Sequence, residues 1–198
     1  MNIVTAVYVP TLSETIQIVQ ADCVLAGRHA DAIWVLLAYS AAQKEILHVP
    51  LQEIYEKMVA GEAFLALRES DGCLVGYQTL GLWPEVRIVE PRSKVVLPPY
   101  RQSGVGTALS RAILNLAVKR YPDWLFLALA SGGSVGIWKD QIGLVEITHT
   151  YLPDCLYTIC PLCEKQAEAL AVGKRCCATA LVWPGNHRGQ ALITKETK

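Results

Sequence analysis

Val95-Val96-Leu97-Pro98-Pro99-Tyr100-Arg101-Gln102-Ser103-Gly104-Val105-Gly106-Thr107 decides how this chain is read. Valines come first, then a proline pair, then a basic residue and two glycines. That order predicts a strand, a tight turn and a helix. The helix, over 104–120, carries Ala108, Leu109, Ala112, Ile113, Leu116 and Ala117 as one apolar stripe. Its first turn leaves backbone N–H groups without intrahelical partners, at the positive end of the helix dipole. Gly104 and Gly106 have no Cβ, so a phosphate can approach that backbone, and Arg101 adds a fixed positive charge. The same residues also suit an ordinary strand–helix connection. No Gly-Lys-Ser/Thr follows, which excludes a Walker loop, and the third glycine of the dinucleotide fingerprint is missing.

Outward from this segment, strands and helices alternate. Periodicity predicts a strand over 16–26, helices over 29–40 and 50–60, and strands over 63–68 and 73–82 around a Ser70-Asp71-Gly72 turn. A strand over 86–97 contains Pro91, which asks for a bulge or an edge nearby. A continuously apolar strand over 124–130 suits a sheet interior. A short helix over 134–140 and a strand over 144–150 follow. The polar tail from Gly185 is expected to be loose.

The chain has 198 residues, enough for a real core, and 52% of them are hydrophobic. Lys plus Arg (18) balance Asp plus Glu (18), which argues against a nucleic-acid partner. The most apolar stretches, 32–39 and 124–130, fall far short of the ~20 residues that a bilayer needs. The opening MNIVTAVYVP has no basic region before an apolar run, so no secretory leader is read and the expected compartment is the cytoplasm.

Arg101-Gln102-Ser103-Gly104-Val105-Gly106 resembles the Arg/Gln-x-x-Gly-x-Gly/Ala signature of the GNAT superfamily of acetyl-CoA-dependent N-acetyltransferases. The resemblance covers residues 16–150 by pattern. More narrowly, the stretches from Glu45 to Glu56 and from Val89 to Val96 are similar to acetyltransferase domains related to N-acetylglutamate synthase. The resemblance implies an α/β (α+β) fold: a mixed, mostly antiparallel sheet with splayed strands, flanked by helices. It implies acetyl-CoA as cosubstrate. The pantetheine arm would pair with backbone near Val95 and Val96. The pyrophosphate would lie on the N–H groups of Gln102, Ser103, Gly104, Val105, Gly106 and Thr107 beside Arg101, with Ser131 near the arm. Ser131 stands where many members carry Asn. Trp138 stands where many carry a Tyr that protonates the departing thiolate, so that general acid is missing.

The reaction also needs a neutral amine, and lysine-like amines have a pKa of ~10.4, so a base must take a proton. Glu90 is the candidate: it lies on the strand where several members place a catalytic Glu. The alternative is an ion pair with Arg92 or Arg87. Glu90, Arg92 and Lys94 share one face by the two-residue period unless a bulge at Pro91 breaks it. Arg92 or Lys94 could take a substrate carboxylate, or the charge run could be a solvated face. Trp83 could line an acceptor pocket or cap the core. The expected activity is acetyl transfer to a primary amine of a small molecule, an amino acid among the options. The alternatives are a protein or peptide amine as acceptor, or a non-catalytic CoA- or metal-binding module. A homodimer is left open.

Of seven cysteines, five lie in Cys155-x4-Cys160-x2-Cys163-x12-Cys176-Cys177. Thiolates separated by two residues can chelate one tetrahedral ion. The spacing also matches a plant-type iron–sulfur pattern, but its ferredoxin context is missing, so structural zinc ranks above a cluster. Reduced thiols in a hairpin are the plain alternative. Strands near 157–160 and 177–183 are expected to close that hairpin on the sheet edge. The expected organisation is a core over 1–150, a cysteine-rich hairpin over 151–184 and a loose tail over 185–198.

Overall fold

The computed structural model describes residues 2–43, 46, 48–158, 166–171 and 176–196. In chain order the elements are β1 (Asn2–Val9), β2 (Glu14–Gln20), α1 (Cys23–Ala42), α2 (Leu51–Val59), β3 (Ala63–Arg68), β4 (Leu74–Trp83) and β5 (Ile88–Val96). Then come α3 (Val105–Arg120), β6 (Leu125–Ala130), α4 (Ser134–Gly136), β7 (Val145–Ile147), α5 (Gln166–Ala171), β8 (Thr179–Val182) and α6 (His187–Glu196). Contacts divide the chain into two compact units, Met1–Gly81 with Pro91–Leu116, and Leu82–Glu90 with Ala117–Lys198.

In the first unit β1, β2, β3 and β4 pair antiparallel, with Val7 opposite Ile16, Ile18 opposite Ala66 and Leu65 opposite Tyr77. The expected strand over 16–26 ends at Gln20. Asp22 stops it by accepting the Leu25 N–H at 2.8 Å, which caps α1. Leu25, Ile33 and Leu37 of α1 and Ile54 and Met58 of α2 pack on Val19, Leu65, Leu67 and Tyr77. Side chains alternate along a strand, so Gln78 points the other way, and there its Oε1 meets Ser110 of α3. Helices thus cover both faces. β1 occupies a segment for which the sequence suggested no element.

In the second unit the start of β5 pairs in parallel with β6, Ile88 opposite Leu125 and Val89 opposite Phe126. β6 and β7 both pair antiparallel with β8. Ile88, Leu125, Leu127, Ile147, Leu152, Leu156 and Val182 form the core. The pairing is mixed and mostly antiparallel, as expected. The cysteine hairpin is a different matter. Residues 154–157 form a 3-10 turn that follows Pro153 and buries Leu156, and residues 159 and 160 of the strand expected near 157–160 lie outside the described residues. The apolar run of β8 takes β6 and β7 as its partners. The expected loose tail contains α6, whose Leu192 and Ile193 pack on this core. Among the described residues no helix is long and apolar enough to cross a membrane.

Candidate active site

Pro98–Tyr100 makes one 3-10 turn after β5, and Leu97 N–H donates to the Val75 carbonyl at 2.8 Å. Gln102 (φ 61°) and Gly104 (φ 90°) are both left-handed. Alternating hand in successive residues turns backbone N–H groups toward one side, which makes a concavity for anions. α3 starts at once, with the Ala108 N–H on the Gly104 carbonyl at 2.9 Å. A Cβ placed on Gly104 would meet only Val7 Cγ1, at 3.7 Å, so its approach is open. The turn is braced from within. Ser103 Oγ donates to the Tyr100 carbonyl at 2.6 Å, and Arg101 Nε to the Val96 carbonyl at 3.1 Å.

A second brace was not visible in the sequence. Tyr100 Oη donates to Glu14 Oε2 at 2.7 Å, and Arg68 Nη1 reaches Glu14 Oε1 at 3.2 Å. Arg68 also grips Asp71 through Nε and Nη2, which holds the Asp71 carboxyl well below the usual range. Donation to Glu14 pushes the Tyr100 hydroxyl up. Glu14 and Tyr100 are 86 positions apart, and no local signal joins them.

On β5, Glu90 is buried, 8% exposed, and Trp83 Nε1 donates to its Oε2 at 3.1 Å. Two residues singled out separately in the sequence are therefore in contact. The irregularity expected at Pro91 falls at Ser93, whose φ is 50°. A left-handed residue inside a strand breaks the alternation, so the shared face expected for Arg92 and Lys94 fails. Arg92 lies across Gly81, where any Cβ would collide with its Nε. Lys94 instead reaches toward α3, with Nζ 3.4 Å from Ser110 Oγ. Burial pushes the Lys94 amine down to about 8.

The acetyltransferase (GNAT) family pattern matches residues 32–138. The chain belongs to that family. No curated protein sequence matches it. Among solved structures it is similar to N-acetylglutamate synthase from Neisseria gonorrhoeae complexed with coenzyme A and N-acetyl-glutamate. The identity is 20% and the TM-score 0.59, over 84% of this chain and 34% of that one. The chain thus spans about a third of that enzyme's length. It is also similar to Rv2747 from Mycobacterium tuberculosis in complex with CoA, at 20% identity and TM-score 0.61, over 83% and 96% of the two chains. Diaminobutyrate acetyltransferase from Paenibacillus lautus, in complex with L-2,4-diaminobutyric acid and coenzyme A, gives 11% identity and TM-score 0.54 over 84% and 92%. At these identities the likeness is one of fold.

Two positions where this GNAT chain departs from the common residue lie in the second unit. Ser131 is exposed, and its carbonyl accepts from Ser134 Oγ at 2.7 Å. Trp138 is 3% exposed and packs against Phe126 with ring centroids 5.6 Å apart. The indole is a core side chain.

The cysteine set is not assembled by what the structure describes. Cys160 and Cys163 lie outside the described residues. Cys176 is buried and its sulfur accepts the Ala178 N–H, Cys155 is half-buried, and Cys177 is exposed. Among the described residues no group of three His, Cys, Asp or Glu could hold a metal ion. His149 uses both ring nitrogens, on Tyr157 Oη at 2.8 Å and the Ala178 carbonyl at 2.9 Å.

Proposed function

We propose that this GNAT chain transfers the acetyl group of acetyl-CoA to the primary amine of a small molecule, an amino acid in the first instance. The observation that carries the reading is the open, left-handed turn at the start of α3. In this reading N–H groups from Gln102 to Thr107 and Arg101 receive the pyrophosphate. The Val95 and Val96 backbone flanks the pantetheine arm. Acetyl-CoA, when bound, supplies the thioester that the amine attacks. Glu90 takes the proton from the incoming ammonium, directly or through water, and Trp83 fixes the direction of the carboxylate. Trp138 has no proton to give at neutral pH, so water protonates the departing thiolate. Arg92 is the proposed partner for a substrate carboxylate. The complexes of similar folds with N-acetyl-glutamate and L-2,4-diaminobutyric acid support an amino acid over a protein amine.

The buried indole of Trp138 favours a second reading, a CoA-binding module without fast turnover. Thiol release across a panel of amino acids, polyamines and lysine peptides separates the two. Calorimetry tests the cofactor turn itself. Asn and Asp are near-isosteric and both visit the left-handed region, so Gly104→Asn and Gly104→Asp carry similar strain and differ in charge. Acetyl-CoA affinity should fall much further in Gly104→Asp. Equal affinity of two folded variants would remove the pyrophosphate from this turn.

A further inference from the structure

The second unit contains a groove of about 720 Å³ that the acetyl-transfer reading does not use. That volume is within the usual range of small-molecule sites. Its floor is apolar, with Ile88, Leu125, Leu152 and Leu192. Its rim carries Arg87 and Arg188, with Glu85 also in the lining. Arg188 is immobilised: Nη1 donates to the Arg87 carbonyl at 2.6 Å and Nη2 to the Val86 carbonyl at 3.1 Å. Both contacts are to neutral oxygens, so the guanidinium charge is not cancelled. Arg87 is exposed and left-handed, φ 51°. A non-glycine residue held there is strained. The Arg87 carbonyl takes a second donor, the Leu125 N–H at 3.0 Å, so two hydrogen bonds fix the conformation that places its side chain at the groove. Among the described residues neither arginine pairs with a carboxylate.

We propose that this groove binds a monocarboxylate with an apolar body. The carboxylate meets Arg87 and Arg188, and the apolar part displaces water from the leucine floor. A planar guanidinium suits a carboxylate through paired N–H donors. Glu85 sets the charge limit, because a dianion brought to the same rim meets its repulsion. The site therefore prefers one negative charge over two. Its residues belong to the second unit and those of the acetyl-CoA turn to the first, and its test does not need turnover.

The full chain is titrated by calorimetry with hexanoate, hexanamide and inorganic phosphate, without and with saturating CoA. Hexanoate should bind at least about tenfold tighter than hexanamide, one charge-assisted contact's worth of discrimination. It should also bind tighter than phosphate, and CoA should leave its affinity unchanged. Arg87→Gln keeps the backbone carbonyl and leaves Arg188, so it should reduce the preference for hexanoate over hexanamide without abolishing it. Ala191→Trp, at an exposed position in the lining, should block both ligands. The proposal is overturned if hexanoate and hexanamide bind alike, if phosphate matches hexanoate, or if CoA displaces hexanoate. It is equally overturned if folded Arg87→Gln keeps the preference undiminished.

Discussion

Glu90 is buried beside an indole N–H, and its role can be separated from its packing. Glu90→Gln retains shape and a hydrogen-bond acceptor for Trp83 but cannot accept the ammonium proton. Removing a general base typically costs about 10²–10⁴ in rate. We expect kcat to fall in that range while acetyl-CoA affinity stays, measured by thiol release and calorimetry on the same preparation. Lys94 gives a second test. Its amine is near 8 in the folded chain against an ordinary 10.5. Between those values the unfolded chain binds more protons than the native one, so this residue makes stability rise with pH across that window. Lys94→Met should remove that rise, read from urea midpoints of the two proteins at about pH 7.5 and about pH 10. Glu90 and Trp83 were both legible as candidate residues, because their types suit the chemistry. Their contact was not. Nor was the turn of Lys94 away from Arg92, since nothing in serine's chemistry announces a left-handed Ser93.

Elements with strong periodicity were legible: α2, α3, β3 and β6 lie within two residues of their expected ends. The misses have physical causes. α1 starts where Asp22 caps it, inside a run whose apolar residues equally suit a strand. α6 has few apolar residues, and polar contacts help to hold it besides the packing of Leu192 and Ile193. Asn186 Oδ1 accepts the Gly189 N–H at 2.9 Å, and its Nδ2 donates to the Trp124 carbonyl at 2.8 Å. Asparagine three residues before a helix N–H is a cap signal that the sequence did carry. Asn186→Ala should destabilise the chain by about 1–2 kcal/mol, as losing a cap does. The readout is a lower urea midpoint at unchanged slope. Asn186→Ser keeps a cap acceptor and loses the reach to Trp124, so it should fall between the two.

Over the whole molecule, the family was legible because one contiguous turn carries it. The partition into two units was not, because each unit joins stretches far apart in sequence. The grip of Glu14 on Tyr100 has the same origin. A ligand that binds only the native chain stabilises it by RT ln(1 + [L]/Kd), about 2.7 kcal/mol at a hundredfold excess over Kd. For a chain of 198 residues each kcal/mol moves Tm by about 2–4 °C. Acetyl-CoA at that excess should therefore raise Tm by about 5–10 °C. Two variants divide the reasons. Gly104→Asp should lose the shift, because the charge sits where the pyrophosphate belongs. Glu90→Gln should keep it, because the base acts on the amine and not on the nucleotide. If Glu90→Gln also lost the shift, Glu90 would be holding the CoA site together instead of accepting a proton. If wild type showed none, the turn at α3 would be only a strand–helix connection with two glycines.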